Sequence, residues 1–295
     1  MGILASIGTW VISNLPTVVK VAKKAADLVG KGVAIVDALL EGKKLANEVE
    51  PTIFKPKSSP EIDRPDLISD DKNNSSNDIS ELIERIDESR NKLITIKDEN
   101  EIEHKRIQMQ VDIMELLVSA QTFERFTSNI NLHAANLQIH IQTIQNCAGM
   151  LDDINRQRVA IKALMGSFNH LINVLSVGDK VKKIEGINID IKPGAISIHG
   201  AYEAFENTRS LLLNEIDSFH TAIGVQLTRV EKVRTSAKHI PGISSKISTW
   251  IEKSVEPKLL DAKTNAESLK GELSVIPRLE ASLRKELETI KEDNL

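Results

Sequence analysis

The chain has 295 residues, of which only 3% are aromatic, so its core cannot be filled by bulky rings. Such a low aromatic content is typical of thin helical bundles rather than of large globular domains. A formal net charge of −4 argues against a nucleic-acid-binding protein that works by phosphate neutralisation.

Residues 1–47 predict an amphipathic helix that is rich in glycine, alanine and valine. Polar side chains recur every three or four residues from Ser6 to Lys31, and we expect Pro16 to kink or divide the helix. Such a helix can pack on a bundle or lie in a lipid interface. In a protein with two states, it can do each of these in a different state. The residues expected to insert into a membrane are Ile3, Leu4, Ile7, Trp10, Val11, Val18, Val21, Val29, Val33, Val36 and Leu40.

The start of the chain carries no conventional secretory signal, because the first basic residue is Lys20. Residues Met1 to Ser6 fit the minimal N-myristoylation pattern, which makes Gly2 a possible lipidation site. Polar residues and Pro16 interrupt the apolar run, so it is not a clean membrane span. We therefore expect a protein that is secreted or delivered without a signal peptide, and whose soluble form converts to a membrane-bound form.

Residues 48–78 predict a disordered linker. Prolines recur there every four to five residues, and a run of serine, aspartate and asparagine follows them. Few groups in this segment could be buried to offset the entropy of ordering it. Asp78, with Glu81 three residues later, has the spacing of a capping box at the start of the next helix.

The remaining residues, 79–295, predict a helical rod that begins with one long helix over 79–177. Its apolar positions alternate between steps of four and three, which is the heptad spacing of a coiled coil. This seam consists of Met109, Ile113, Leu116, Ala120, Phe123, Thr127, Ile130, Ala134, Leu137, Ile141, Ile144, Ala148 and Leu151. A second successive step of three, to Ile154, is a stammer, after which the seam resumes. Cys147, the only cysteine, is interpreted as a small core residue, with an intermolecular disulfide as the alternative.

Residues 184–199 change to a period of two, which predicts a β-hairpin at the tip of the rod. Pro193 and Gly194 suit the central positions of a type II turn. The isoleucines of this tongue would form one apolar face that must be buried by the rod, a partner or lipid. They are Ile187, Ile189, Ile191, Ile196 and Ile198.

Two further helices are predicted to return along the rod, over 201–238 and 243–290, with kinks at Pro257 and Pro277. The expected fold class is all-α: an elongated antiparallel helical bundle or coiled-coil rod. A small β-hairpin lies at its tip, and an amphipathic helix precedes it.

No catalytic or cofactor motif occurs in the sequence, and we expect neither an enzyme nor a small-molecule substrate, metal or cofactor. His133 and His140 share a helical face but have no obvious third ligand, so solvated or interfacial histidines are the preferred interpretation. His199, beside the hairpin, is a candidate sensor of acid pH.

This layout resembles the α-helical pore-forming toxins of the cytolysin A type. The resemblance consists of the long helix 79–177 with its return arm, the tongue 187–198 between them, and the amphipathic segment 3–40. It implies an N-terminal helix that inserts into a bilayer after oligomerisation or contact with a partner. The implied partners are the lipid bilayer and either further copies of this chain or a second toxin component.

Three functions are therefore considered. The leading hypothesis is membrane permeabilisation, with the apolar face of residues 3–40 shielded at rest and released when active. The alternative is a structural coiled-coil scaffold, or a virion component that penetrates membranes. The third is a secreted effector whose N-terminal segment only docks a chaperone or directs translocation.

Overall fold

The computed structural model describes residues 3–49, 75–96, 101–174, 192–238, 240 and 242–292. Seven α-helices are described: α1 (Ile3–Glu48), α2 (Ser75–Ile96), α3 (Glu101–Val174), α4 (Lys192–Ala237), α5 (Ser244–Trp250), α6 (Glu256–Ser274) and α7 (Ala281–Glu292). A π-helical segment, Ile251–Val255, joins α5 to α6. The described part of the chain contains no strand, so the all-α prediction is confirmed there, while the elongated rod stays a prediction.

The heptad seam of α3 is buried from Met109 to Leu151, whereas the described side chains of its predicted continuation after Ile154 are half-buried or exposed. In the segment 101–132, side chains of α4 lie opposite this helix. Lys232 Nζ lies 2.5 Å from Asp112 Oδ1, and Asn129 Nδ2 donates to Glu215 Oε1 at 2.9 Å. Because the partner numbers fall as the α3 numbers rise, the two helices run antiparallel here.

The predicted single helix over 79–177 is wrong, because the structure divides it into α2 and α3 on either side of residues 97–100. Arg90 Nη2 lies 2.5 Å from Glu115 Oε1, across a separation of 25 residues. One continuous helix would hold these two positions about 37 Å apart. The two segments therefore do not belong to one continuous helix.

The described half of the predicted hairpin is also wrong, because residues 192–199 form the first turns of α4. Ile198, Tyr202 and Phe205 are buried, and their spacing of four and three residues is that of one helical face. The burial of this face therefore overrides the short alternation of period two. Proline is tolerated in the first turn of a helix, where its missing amide donor would have no partner, and Pro193 is the second residue of α4. Gly194 and Ile196 are helical too, whereas Ile187, Ile189 and Ile191 lie outside the described residues.

The predicted helix over 243–290 is interrupted twice: Pro257 follows the first interruption and Pro277 lies within the second. Pro257 has no amide to offer the carbonyl four residues earlier, and the wider π turn just before it accommodates this, with Glu256 N–H donating to Ile251 O. The helix α6 ends at Ser274, and residues 275–280, which include Pro277, are non-helical. Both prolines were expected only to kink the helix.

The chain forms two compact units. The first contains Met1–Lys23, His133–Leu212 and Gly271–Leu295, and the second contains Lys24–Leu132 and Leu213–Lys270. In the second unit, the rings of Phe123, Phe126 and Phe219 pack edge to face, with centroids 5.5 to 6.5 Å apart. Most of the predicted linker, residues 50–74, lies outside the described residues, and so does the predicted lipidation site Gly2.

Candidate functional site

The predicted membrane-inserting segment is one continuous helix of 46 residues, which Pro16 does not divide. The structure packs much of its apolar face against protein: Ile7, Val11, Val18, Val21 and Val36 are buried. Trp10 and Val29 are half-buried, whereas Val33 and Leu40 are 49% and 42% exposed. Ile3 and Leu4 are helical. The candidate inserting face is thus mostly shielded in this state.

In the second unit, the polar stripe of α1 pairs with α6 in an antiparallel ladder. Lys31 Nζ lies 2.6 Å from Asp261 Oδ2, and Lys24 Nζ donates to Ser268 Oγ at 2.7 Å. Between them, Asn265 donates to Asp27. We call these three pairs the α1–α6 ladder. The hydrogen bond to Asp261 raises the pKa of the Lys31 ammonium above its usual 10.5, so Lys31 stays charged at neutral pH.

Sequence reasoning identified one side of this ladder and missed the other. The stripe on α1 steps by four, three and four at Lys20, Lys24, Asp27 and Lys31. The same steps occur in α6 at Asp261, Asn265, Ser268 and Glu272. In the first unit, Lys20 Nζ lies 2.6 Å from Glu272 Oε1, as this matching predicts. Complementary spacing between segments far apart in the chain was the available signal.

Close backbone approaches also hold α1 in the second unit. Trp250 donates its Nε1–H to the carbonyl oxygen of Ala38 at 2.8 Å, and its ring covers Gly42 so closely that a Cβ there would lie 2.3 Å from Cζ2. A Cβ on Gly32 would lie 2.2 Å from the Cγ2 of Thr127. Glycine is therefore required at these two positions for α1 to fit its partners.

In the first unit, Trp10 anchors the early part of α1. Its Nε1–H donates to the carbonyl oxygen of Pro277 at 3.0 Å, and its ring meets Tyr202 and Phe205 edge-on, with centroids 5.7 Å apart in both cases. Tyr202 in turn accepts a hydrogen bond from Leu279 N–H at 3.0 Å. The backbone groups released by the helix break at Pro277 are thus satisfied by two aromatic side chains.

His199 lies on α4 rather than beside a hairpin, with its side chain only 9% exposed. Its Nδ1 lies 3.5 Å from Glu203 Oε2 and its Nε2 lies 3.8 Å from Glu288 Oε1. These residues line a pocket of about 340 Å³ together with Arg278 and Arg284. The pocket mixes three carboxylates with two guanidinium groups, and the role of His199 as an acid sensor stays a prediction.

Among the described residues, no group of three or more histidine, cysteine, aspartate or glutamate side chains is placed to hold a metal ion. His133, His140 and Cys147 are each half-buried on α3. Within those same described ranges, no helix is long and apolar enough to cross a membrane.

No protein-family model, curated protein or solved structure matches this chain. Its fold and function must therefore be inferred from its own residues and their contacts.

Proposed function

We propose that this protein permeabilises membranes, and that α1 is the element that leaves its protein partners and enters the bilayer interface. The observation that supports this most strongly is the arrangement of α1 in the resting state. A weakly charged amphipathic helix of 46 residues hides most of its apolar face on protein and directs its polar stripe to α6. Such a helix meets the requirements of interfacial insertion once it is uncovered.

The energetics of exchange favour this role. Lipid tails are about as apolar as leucine, so moving the apolar face of α1 from protein to lipid changes its free energy little. In the ladder, Asp261 is 64% exposed, and exposed ion pairs contribute only about 0–1 kcal/mol each. The specific cost of release lies in the fitted contacts at Gly32, Gly42 and the two tryptophans. A bilayer or further copies of the chain would have to cover the surface that α1 vacates.

A reducible crosslink across α1 and α6 tests this proposal. Asp27→Cys and Asn265→Cys, in a Cys147→Ser background, place one thiol on each helix at a contacting pair. Joining them with a short reducible bis-maleimide should abolish dye leakage from liposomes, and reduction should restore it. The matched control links Asp217→Cys to Lys270→Cys, whose native side chains lie 2.7 Å apart on α4 and α6, and leaves α1 free to move.

Each result bears on the proposal. Leakage from the α1–α6-linked protein equal to that of the reduced protein would show that α1 stays docked during permeabilisation. Absence of leakage from every form, including the unmodified chain, would remove the permeabilisation function. A crosslink is preferable to deleting residues 1–47, because the deletion would itself uncover the side chains that α1 buries.

The second candidate function is a coiled-coil scaffold or virion component, favoured by the fully buried heptad seam of α3. A stable oligomer in lipid-free buffer, with no binding to vesicles, would favour it in light-scattering measurements. The third candidate, an effector with a dispensable docking segment, is less compatible with the burial of α1 side chains such as Val18 and Leu28.

A further inference from the structure

Among the described residues, no element covers the last third of α3. Leu151 is the last of its described side chains that is buried, and none described between Asp152 and His170 is buried. Val159, Leu164 and Phe168 are 61%, 70% and 56% exposed. A helix that leaves large apolar side chains in water over this length presents a surface for another molecule.

Five large apolar side chains of this segment lie on one side of the helix, while Val159 lies on the opposite side. The step of three after Leu151 turns the apolar face by roughly a quarter-turn away from the seam that is buried before it. At 100° per residue, Ile154, Ile161, Leu164, Met165 and Phe168 fall on one side of the helix. Arg156 and Lys162 fall on the other side, and Arg158 falls at the edge of the apolar arc, so the segment is amphipathic with basic residues on and beside its polar face.

The charge of this segment contrasts with that of the whole chain. Between Ile154 and Val174 the sequence contains Arg156, Arg158 and Lys162 and no acidic residue, whereas the chain has a net charge of −4. Two carboxylates, Asp152 and Asp153, directly precede the segment, and Asp152 Oδ2 lies 2.7 Å from Arg156 Nη2 at an exposed position. A basic polar face combined with leucine and phenylalanine on the other face is typical of helices that lie in a membrane interface.

We propose that residues 154–170 of α3 bind the surface of an anionic lipid bilayer and bring the protein to the membrane before α1 is released. This inference rests on the proposed membrane function and identifies the surface that makes first contact. The apolar face enters the headgroup boundary, while Arg156 and Lys162 stay at the level of lipid phosphates. A partner helix is a weaker fit, because interhelical pairing usually uses flanking charges of both signs and this segment has only one.

Vesicle co-sedimentation tests this surface directly. The full chain is mixed with vesicles of phosphatidylcholine alone or with added phosphatidylglycerol, and binding and dye leakage are measured in the same samples. The apolar variant is Leu164→Gln with Phe168→Gln, and the charge variant is Arg156→Gln with Lys162→Gln. Matched controls are Leu211→Gln on α4 and Lys285→Glu on α7, both exposed residues of the same compact unit.

The unmodified chain should bind the anionic vesicles and not the neutral ones, and its binding should weaken as salt is added. The charge variant should lose roughly fivefold in affinity for each basic residue removed. The apolar variant should lose at least about tenfold, because its two side chains no longer enter the interface. Both controls should bind as the unmodified chain does. All substituted positions are exposed, so the helical circular dichroism should not change.

Unchanged binding of the apolar variant, or equal binding of the unmodified chain to both kinds of vesicle, would overturn this inference. Leakage caused by the unmodified chain would still support the proposed function in that case. Conversely, α3-dependent binding without leakage would support the inference and count against permeabilisation. Self-association through residues 154–170 in lipid-free buffer, with no binding to vesicles, would replace the lipid surface with a second copy of the chain.

Discussion

Two aromatic side chains form hydrogen bonds with backbone groups in the non-helical segment around Pro277. The carbonyl of Pro277 and the amide of Leu279 are not used by a helix, and Trp10 and Tyr202 supply their partners. The Leu279 amide is buried, and a buried backbone group without a partner is costly, so the hydrogen bond to Tyr202 stabilises the break, while Trp10 binds the exposed carbonyl of Pro277. Neither role is visible in the sequence, because the contacts join positions 77 or more residues apart.

Tyr202 gives a direct measurement of this environment, since it is the only tyrosine in the chain. Burial raises the pKa of its phenol above the usual 10.0, and we expect the phenolate absorbance to titrate with a midpoint above that value. The unfolded chain releases this proton more readily, so the stabilisation persists below pH 10 and is lost as the pH rises through the folded-state value. A midpoint at or below 10.0 would contradict the burial of Tyr202.

Gly42 tests how closely α1 fits its partner. We expect Gly42→Ala to lower the free energy of unfolding by about 1–3 kcal/mol, because the new methyl group would collide with the ring of Trp250. Gly30→Ala in the same helix is the matched control, since nothing lies within 4 Å of its Cβ position. That change should stabilise the protein by about 0.5–1 kcal/mol through helix propensity. Urea unfolding followed by circular dichroism measures both, and equal stabilisation by the two changes would rule out the close contact.

At the scale of elements, the sequence predicted those features that depend only on the spacing of residues along a single helix. The seam from Met109 to Leu151 is buried as its heptads indicate, and the polar stripe of α1 was recognised. What depends on two segments meeting was not predicted. Tertiary packing overrides local sequence patterns. It decides that α2 and α3 are separate helices, that α6 carries the partner stripe, and that α4 begins as a helix.

Hydrogen exchange should divide α3 into two parts. Amides between Met109 and Leu151 belong to turns whose seam side chains are buried, whereas none of the side chains described between Ile154 and His170 is buried. We therefore expect exchange to be faster by orders of magnitude in the second part, because local opening there breaks few packing contacts. The middle of α4, around Phe219, serves as the protected reference. Similar protection along the whole of α3 would mean that another element covers its end.

At the scale of the whole molecule, α1 has most of its described apolar side chains packed on protein, whereas the described end of α3 has none buried. The α1 face that sequence reasoning assigned to the membrane is mostly packed on protein, while the last third of α3 is exposed. The sequence placed the residues of α3 in one continuous seam, since heptad spacing alone does not tell which part of a seam has a partner. Which part of the α3 seam is buried depends on how the helices pack together, and this packing is not encoded in the heptad spacing.

The two tryptophans of the chain allow the packing of α1 on the rest of the protein to be followed by fluorescence. Trp10 belongs to α1, and Trp250 donates to a carbonyl of α1, so both indoles belong to contacts made by this helix. The intrinsic emission of the protein consequently originates in the very contacts that must open during insertion. Undocking would shift that emission without any attached dye, and stopped-flow mixing with vesicles could time it against the appearance of leakage.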